Sequence, residues 1–407
     1  MDKPVFILLG CNILNDGILR KLEGCGADVI VVDRNPHPGI FGFKNYQLDT
    51  RFPDPIIQRL KDEGLWDRVR FAFTCQDVAV ASMNTIAKAA GALTMGEEGL
   101  AHACSKGAMT KRWAECGLLN RESRAFGTWD DSILKWNRQI KLIVKPDNAA
   151  SSRGITILEK DSSEEAVHAA FDKAITEAGN KHIVVEEFVE GIEFTVEMLG
   201  DSHGHVAVYG ISKKQHTKNI DRNKVAVKLH YNAVSDELQR KIAGYAIRCY
   251  RTLGFSCSFG HLEILLKPDG TLSPVEIGAR SSGYIASDLV DIVSGRDFLG
   301  DLYRVQQGAE TPEGLVPQTD KSSMYFFYDI PGGSTIRRDC SILDFMDSAI
   351  KSRRSWKSEH FGVGKRVENI DNDNARLGLE VLEGPKSLMT EAYVLECEKK
   401  MLEYMLG

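Results

Sequence analysis

Apolar residues arrive early in the chain as short continuous runs, and their spacing predicts alternating strands and helices. PVFILLG, ADVIVVD and RVRFAFT are each bounded by glycine or charge, the pattern of strands buried on both faces of a parallel sheet. The stretches after them, one reaching Gly24 and another reading DVAVASMNTIAKAAG, carry the mixed spacing of helices. Together they predict βαβ units and a Rossmann-like domain over residues 1–104.

Beyond Ser105 the pattern changes. SKGAMTKRWAECG predicts a helix stopped by glycine. Then follow a strand IKLIVKP, a polar loop, a strand GITILEK, a helix SSEEAVHAAFDKAITEAG, and strands HIVVEEFV and IEFTVEML. The segment ISKKQHTKNIDRNK, with Lys213, Lys214, His216, Lys218, Arg222 and Lys224, predicts a solvated charged loop. A helix over 235–252 leads into HLEILLKPDGTLSPVEI, and the portion after 321 ends in a helix EAYVLECEKKMLEYML.

Two of these segments carry chemistry. In HLEILLKPDGTLSPVEI, Asp269-Gly270 between apolar runs is a hairpin signal. With those two residues as the turn, outward counting sets Glu263 opposite Glu276, with Cβ atoms about 4.5 to 5.5 Å apart. Two carboxylates so placed repel unless a cation lies between them. A hard ion such as Mg²⁺ takes carboxylate oxygens together with those of a polyphosphate, and Arg280 would add a fixed positive charge nearby. His261, two residues before Glu263, falls on the same face by strand parity. The second segment is KPDNAASSRG. Lys145 precedes its loop instead of following glycines, so this is no Walker A motif. The loop can still close on phosphates through backbone N–H groups and the hydroxyls of Ser151 and Ser152.

Composition narrows the class. The chain has 407 residues, enough for two to four subdomains, and a formal net charge of -6, which argues against nucleic-acid binding. Nine cysteines without a C-x-x-C pair point to free thiols and a cytoplasmic protein. The opening MDKPVFILLGCNILNDG breaks at Asn15 and Asp16, which favours a first strand over a signal peptide. No apolar run approaches the roughly 20 residues that span a bilayer. G-C-N-I-L-N after the first strand lacks the glycines of a dinucleotide site, although strand ends such as Asn12 and Asp77 still face a ligand crevice.

Lysine loop and carboxylate hairpin, in this order, resemble the ATP-grasp superfamily over nearly the whole chain. The branch they are most similar to holds biotin carboxylase, the carbamoyl-phosphate synthetase large subunit and the L-amino acid ligases. The resemblance implies an α/β fold: the Rossmann-like domain at 1–104, a lid region at 105–190, a core with the metal site at 191–318 and a small carboxy-terminal subdomain at 319–407. Lys106 and Lys145 resemble the lysines that hold ATP phosphates, and Asp147 to Gly154 the lid, with Ser151, Ser152 and Gly154 at the nucleotide. VEEFVEGIE resembles the hinge, which implies Glu186, Glu187 and the backbone of Phe188 and Val189 at the adenine and Glu193 at the ribose. Glu263 and Glu276 resemble the metal pair, for Mg²⁺ or Mn²⁺, and Arg280 the phosphate-stabilising arginine. Gly278 stands where many relatives have asparagine. The implied activity is a ligase that activates a carboxylate with ATP as an acylphosphate and joins it to an amine. Its partners would be a small carboxylate and a small amine, with no nucleic acid or membrane and a homodimer left open. Two alternatives share the motifs: a carboxylase-like enzyme activating bicarbonate, and a nucleotide-binding protein without catalysis.

Overall fold

A computed structural model describes residues 2–11, 15–35, 42–149, 153–217, 225–283, 286–370 and 375–407. The first strands are β1 (Val5–Leu9), β2 (Asp28–Asp33), β3 (Lys44–Gln47) and β4 (Val69–Thr74). They form a parallel sheet in the order β3-β2-β1-β4. All five side chains of β1 are buried, as its unbroken apolar run requires. Strand β3 is not foreshadowed by any apolar run: it reads KNYQ, and as an edge strand it buries only Tyr46.

The second sheet comprises β5 (Ser123–Phe126), β6 (Leu142–Pro146), β7 (Thr156–Leu158) and β8 (Ile183–Glu187), in the antiparallel order β5-β8-β6-β7. Helix Glu164–Glu177 covers it, starting where the Ser163 hydroxyl accepts from the Ala166 N–H. Val167, Ala170, Phe171 and Ala174 recur at helical spacing and pack on Leu142, Val144 and Val185.

The third sheet is the largest. It contains β9 (Ile192–Gly200), β10 (Val206–His216), β11 (Ala226–Tyr231), β12 (Ser258–Leu266), β13 (Leu272–Gly278), β14 (Gly314–Leu315), β15 (Lys321–Phe327), β16 (Lys351–Lys357) and β17 (Gly378–Pro385). Its order is β13-β12-β9-β10-β11-β15-β17-β16, with β14 beside β10. Hydrogen bonding therefore runs without a break from the hairpin strands into the carboxy-terminal ones. Helix Asp236–Thr252 packs Ile242, Ala246 and Tyr250 against Val196, Met198 and Ile264 on one face. On the other, Leu199, Tyr209 and Phe259 share a core with Leu289, Val290 and Val293 of helix Ala286–Ser294, and with Phe6, Phe71 and Phe73 of the first sheet. The rings of Phe73 and Phe259 meet edge to face, 5.8 Å between centroids. The first domain is thereby fixed against the large sheet by a continuous apolar core.

One expectation changes here. Lys213 and Lys214 do not lie in a solvated loop but on β10, the eleven-residue strand Val206–His216. Strand pairing places Lys213 opposite Phe194, and Lys214 finds the carboxylate of neighbouring Glu193. Lys218, Arg222 and Lys224 lie outside the described residues, as does Asn12.

Candidate functional site

The hairpin sets the geometry. Glu263 and Glu276 are cross-strand partners, as the sequence predicts, but by a different path. The loop is Pro268-Asp269-Gly270, not a two-residue turn: Lys267 N–H donates to Thr271 O at 2.9 Å, and Gly270 takes φ +78°. That slips the register by one residue. A bulge then slips it back, because Ile264 pairs with Pro274 while Glu263 pairs with Glu276, which leaves Val275 as the extra residue. The proline inside the strand is thus accommodated next to a bulge, where a missing N–H is tolerated.

Strand β9 supplies the rest of the floor. Its residues alternate, with Phe194, Val196 and Met198 in the core under helix Asp236–Thr252, so Glu193, Thr195 and Glu197 face the other way. Lys214 lies between two carboxylates: it bonds Glu193, and its Nζ is 2.7 Å from Glu263 Oε1. Burial pushes the Glu193 carboxyl up, and neighbouring Glu263 adds to this, to about 7 despite Lys214. Glu263 is held low, to about 2: burial opposes ionisation, but Lys214 and His261 outweigh it. Glu197 is fully buried, and its carboxylate accepts from His261 Nδ1 at 2.7 Å, Tyr231 Oη at 3.2 Å and the Ser282 N–H at 3.2 Å. His261 also turns Nε2 toward Glu263, 3.9 Å away, in agreement with the strand parity expected for it.

Lys106 begins helix Lys106–Glu115, which Ser105 caps through the Ala108 N–H. Trp113 and Met109 of that helix are buried in the core that also holds Leu272 and Ile277 of the hairpin. Lys106 Nζ is 3.1 Å from Glu276 Oε2 and donates to Ala149 O at 2.9 Å, which ties the start of the lysine loop to the carboxylate hairpin. Burial alone would push this ammonium down, but Glu276 and Asp77 outweigh it and raise it. Asp147 anchors the loop from beneath, accepting from the Gly107 N–H at 2.6 Å and Asn180 Nδ2 at 2.6 Å. Gly154 closes the loop with φ +72°, and a Cβ there would lie 2.6 Å from Pro146 Cγ, so glycine is required. Ser151 and Ser152 lie outside the described residues.

The hinge differs from expectation at two positions. Glu186 does not offer its carboxylate to a purine: it is buried, with Lys145 Nζ at 2.8 Å and Arg121 Nη2 at 3.1 Å from Oε2, and Ser123 Oγ donating to Oε1 at 3.1 Å. Burial pushes Glu186 up, but Lys145 and Arg121 hold it below the usual carboxylate range. The Phe188 N–H is already given to Lys141 O at 2.9 Å. Glu187 and Val189 are half-buried at the strand end. Arg280 is paired too, by both Asp77 oxygens, and this pair brings a strand-end residue of the first sheet to the site.

Sequence reasoning did not single out Arg121, Glu197 or the buried role of Lys214. The period-two run of Glu193, Thr195 and Glu197 was a readable signal for a polar strand face. Arg121 had none, because its contacts to Glu186, Ser273 and Pro274 lie 65 to 153 residues away.

Whether this site suits a divalent ion can be judged from its donors. Glu263 and Glu276 present carboxylates on one face of one hairpin, and each already carries a cation partner. Among the described residues there is no group of three or more His, Cys, Asp or Glu side chains that could hold a metal alone. The arrangement fits a hard ion that completes its shell with phosphate and water oxygens.

Residues 138–288 match the ATP-grasp domain family. A phosphoribosylamine–glycine ligase of Clostridium acetobutylicum is 30% identical over 84 residues, which is 20% of this chain and 20% of that protein. The alignment thus spans about a fifth of that curated relative. The crystal structure of an L-amino acid ligase from Bacillus licheniformis superposes with a TM-score of 0.75 at 17% identity, covering 98% of each chain. The biotin carboxylase domain of a Hydrogenobacter thermophilus 2-oxoglutarate carboxylase, in complex with MgADP, ADP and bicarbonate, gives 0.70 at 12% identity, covering 95% of this chain and 87% of that one. The chain therefore carries an ATP-grasp domain at residues 138–288 and, over nearly its whole length, has the ATP-grasp fold.

Proposed function

We propose that the chain is an ATP-dependent ligase that activates a small carboxylate and joins it to an amine. The observation that carries this reading is the convergence of Lys106, Glu276 and Glu263 on one cleft floor, with Lys145 held by Glu186 on the strand below the lysine loop. The carboxylate oxygen would attack the γ-phosphorus of ATP, breaking its bond to the bridging oxygen and releasing ADP. The amine would then attack the acyl carbon of the acylphosphate, and inorganic phosphate would leave. Such chemistry needs positioning and charge neutralisation more than a covalent residue.

Each residue has a part in that scheme. Lys106 and Lys145 would neutralise phosphate oxygens, and Arg280 would stabilise charge growing on the transferred group. Gly154, Ser151 and Ser152 would contribute to holding the phosphates. The half-buried strand end at Glu187 and Val189 would border the adenine, and Glu193 the ribose. Glu263 and Glu276 would hold Mg²⁺, which when bound supplies a positive centre for the phosphate oxygens. Mn²⁺ is an alternative occupant, a homodimer an open assembly, and the cytoplasm the proposed location. Among the described residues no helix is long and apolar enough to cross a membrane.

The test is an ADP-release screen over amino acids and small carboxylates in pairs, with bicarbonate as a separate arm and mass spectrometry of the products. An amide product with ADP supports the ligase. Bicarbonate-dependent ADP release without another acid would favour the carboxylase-like alternative, and AMP in place of ADP would overturn the mechanism.

A further inference from the structure

Asp77 lies 203 residues before Arg280 in sequence, yet the two form a bidentate pair: Arg280 Nε donates to Oδ1 at 2.7 Å and Nη2 to Oδ2 at 2.6 Å. Asp77 opens a short turn, Asp77–Ala79, just past the carboxyl end of β4. Ligands of open α/β sheets bind outside the carboxyl ends of the strands, where the strand order reverses. In the order β3-β2-β1-β4 that place is between β1 and β4. There Gly10 lets the chain pass Gln76, whose Cδ would be 2.2 Å from a Cβ at position 10.

A guanidinium has five N–H groups on a rigid plane. Asp77 takes the edge formed by Nε and Nη2, and Nη1 donates to Ser281 O at 3.0 Å. Among the described residues Arg280 makes no other hydrogen bond. One N–H on each terminal nitrogen is left for an oxyanion, and the Asp77 carboxylate fixes the plane in which they lie. Gly278 makes room for this pair: a Cβ there would meet Asp77 Oδ1 at 3.1 Å and Arg280 Cγ at 3.3 Å.

We infer that Asp77 is a positioning residue for the ligation step, a carboxylate of the first domain that sets the orientation in which Arg280 meets the transferred phosphoryl or acyl group. This rests on the proposed ligase reading.

The experiment compares wild type, Asp77→Ala, Arg280→Ala and the double variant, each checked for folding by thermal midpoint. Two quantities are measured: turnover with the acid and amine found in the screen, and calorimetric binding of a non-hydrolysable ATP analogue with Mg²⁺. Asp77→Ala is expected to lower kcat by about 10- to 100-fold with KM for ATP within about two-fold. In the Arg280→Ala background the same substitution should change nothing further. Asp77→Asn, which keeps one acceptor, should fall between. Full kcat in Asp77→Ala, or effects that multiply in the double variant, would overturn the positioning role. Glu276→Ala in the same assay separates the two readings: if it silences turnover while Asp77→Ala does not, the ligase stands and only the role of Asp77 falls. If wild type turns over no acid, the ligase reading falls and the role of Asp77 in ligation falls with it, and an analogue affinity lowered by Asp77→Ala as much as by Glu276→Ala would show a nucleotide-binding residue and overturn the positioning role.

Discussion

Replacing Glu186 by glutamine tests whether this residue tethers Lys145 or reads the purine. Lys145, Glu186 and Arg121 side chains are 5%, 3% and 3% exposed, so the triad is shielded from water. At an effective dielectric of about 20, a charge pair at the 2.8 Å Lys145 separation attracts by about 6 kcal/mol and one at the 3.1 Å Arg121 separation by about 5 kcal/mol. Most of this offsets the cost of burying the ions. Removing one partner strands the others, and such losses run to about 3–5 kcal/mol. In a chain of this size that corresponds to a fall of about 4–6 °C in thermal midpoint.

The pH dependence follows from the sign of the shift. Glu186 has a lowered folded pKa, so its contribution is present above the ordinary glutamate value of about 4.3 and is lost as pH falls through the lowered value. The difference in thermal midpoint between wild type and Glu186→Gln should hold from pH 8 to pH 5 and shrink under stronger acid. In function, a tether predicts lower turnover with an unchanged ratio of kcat/KM for ATP over GTP. An unchanged midpoint together with a collapsed ATP preference would refute the tether and restore the adenine role.

Three further outcomes are expected. Glu276→Ala or Lys145→Ala should abolish ADP formation while the chain stays folded by circular dichroism, and near-normal turnover in either would sink the site assignment. Lys214→Met removes the cation between Glu193 and Glu263. The loss of thermal midpoint should be larger at pH 8 than at pH 5, where Glu193, already raised to about 7, takes a proton and relieves the repulsion. Gly270→Ala places a side chain at φ +78° and should cost about 1–2 kcal/mol, read as a lower urea midpoint, with ADP formation retained.

Much of this site was legible because local signals carry it. Helix Lys106–Glu115 is announced by Ser105 and its end by Cys116-Gly117, and the hairpin by apolar runs around a turn. The facing of Glu263 and Glu276 came out as expected only because two one-residue errors cancelled, a three-residue loop against a bulge at Val275. Turn chemistry near Asp-Gly admits both loop lengths, and the proline that disturbs the ladder is the mark of the bulge. The partners of Glu186 were not legible for another reason. Its strand neighbours give its position, but its role depends on Arg121 and Lys145, which only tertiary packing brings within reach.

The cations at the cleft share one property that bears on how a nucleotide enters. Lys106 has Glu276, Lys214 has Glu193 and Glu263, and Arg280 has Asp77. A bare polyphosphate that drew Lys106 away would leave Glu276 uncompensated near Glu263, at a cost that grows with burial. A magnesium nucleotide would bring both signs: Lys106 would neutralise phosphate oxygens, Glu263 and Glu276 would hold the ion, and the site would stay balanced. Calorimetry should therefore find ATP at least about ten-fold weaker in EDTA than with Mg²⁺, a difference of about 1.4 kcal/mol. Glu263→Gln with Glu276→Gln should narrow that gap, since neutral amides need no cation. Equal affinity with and without Mg²⁺ in the wild type would contradict the exchange and with it the role of the hairpin as the metal pair.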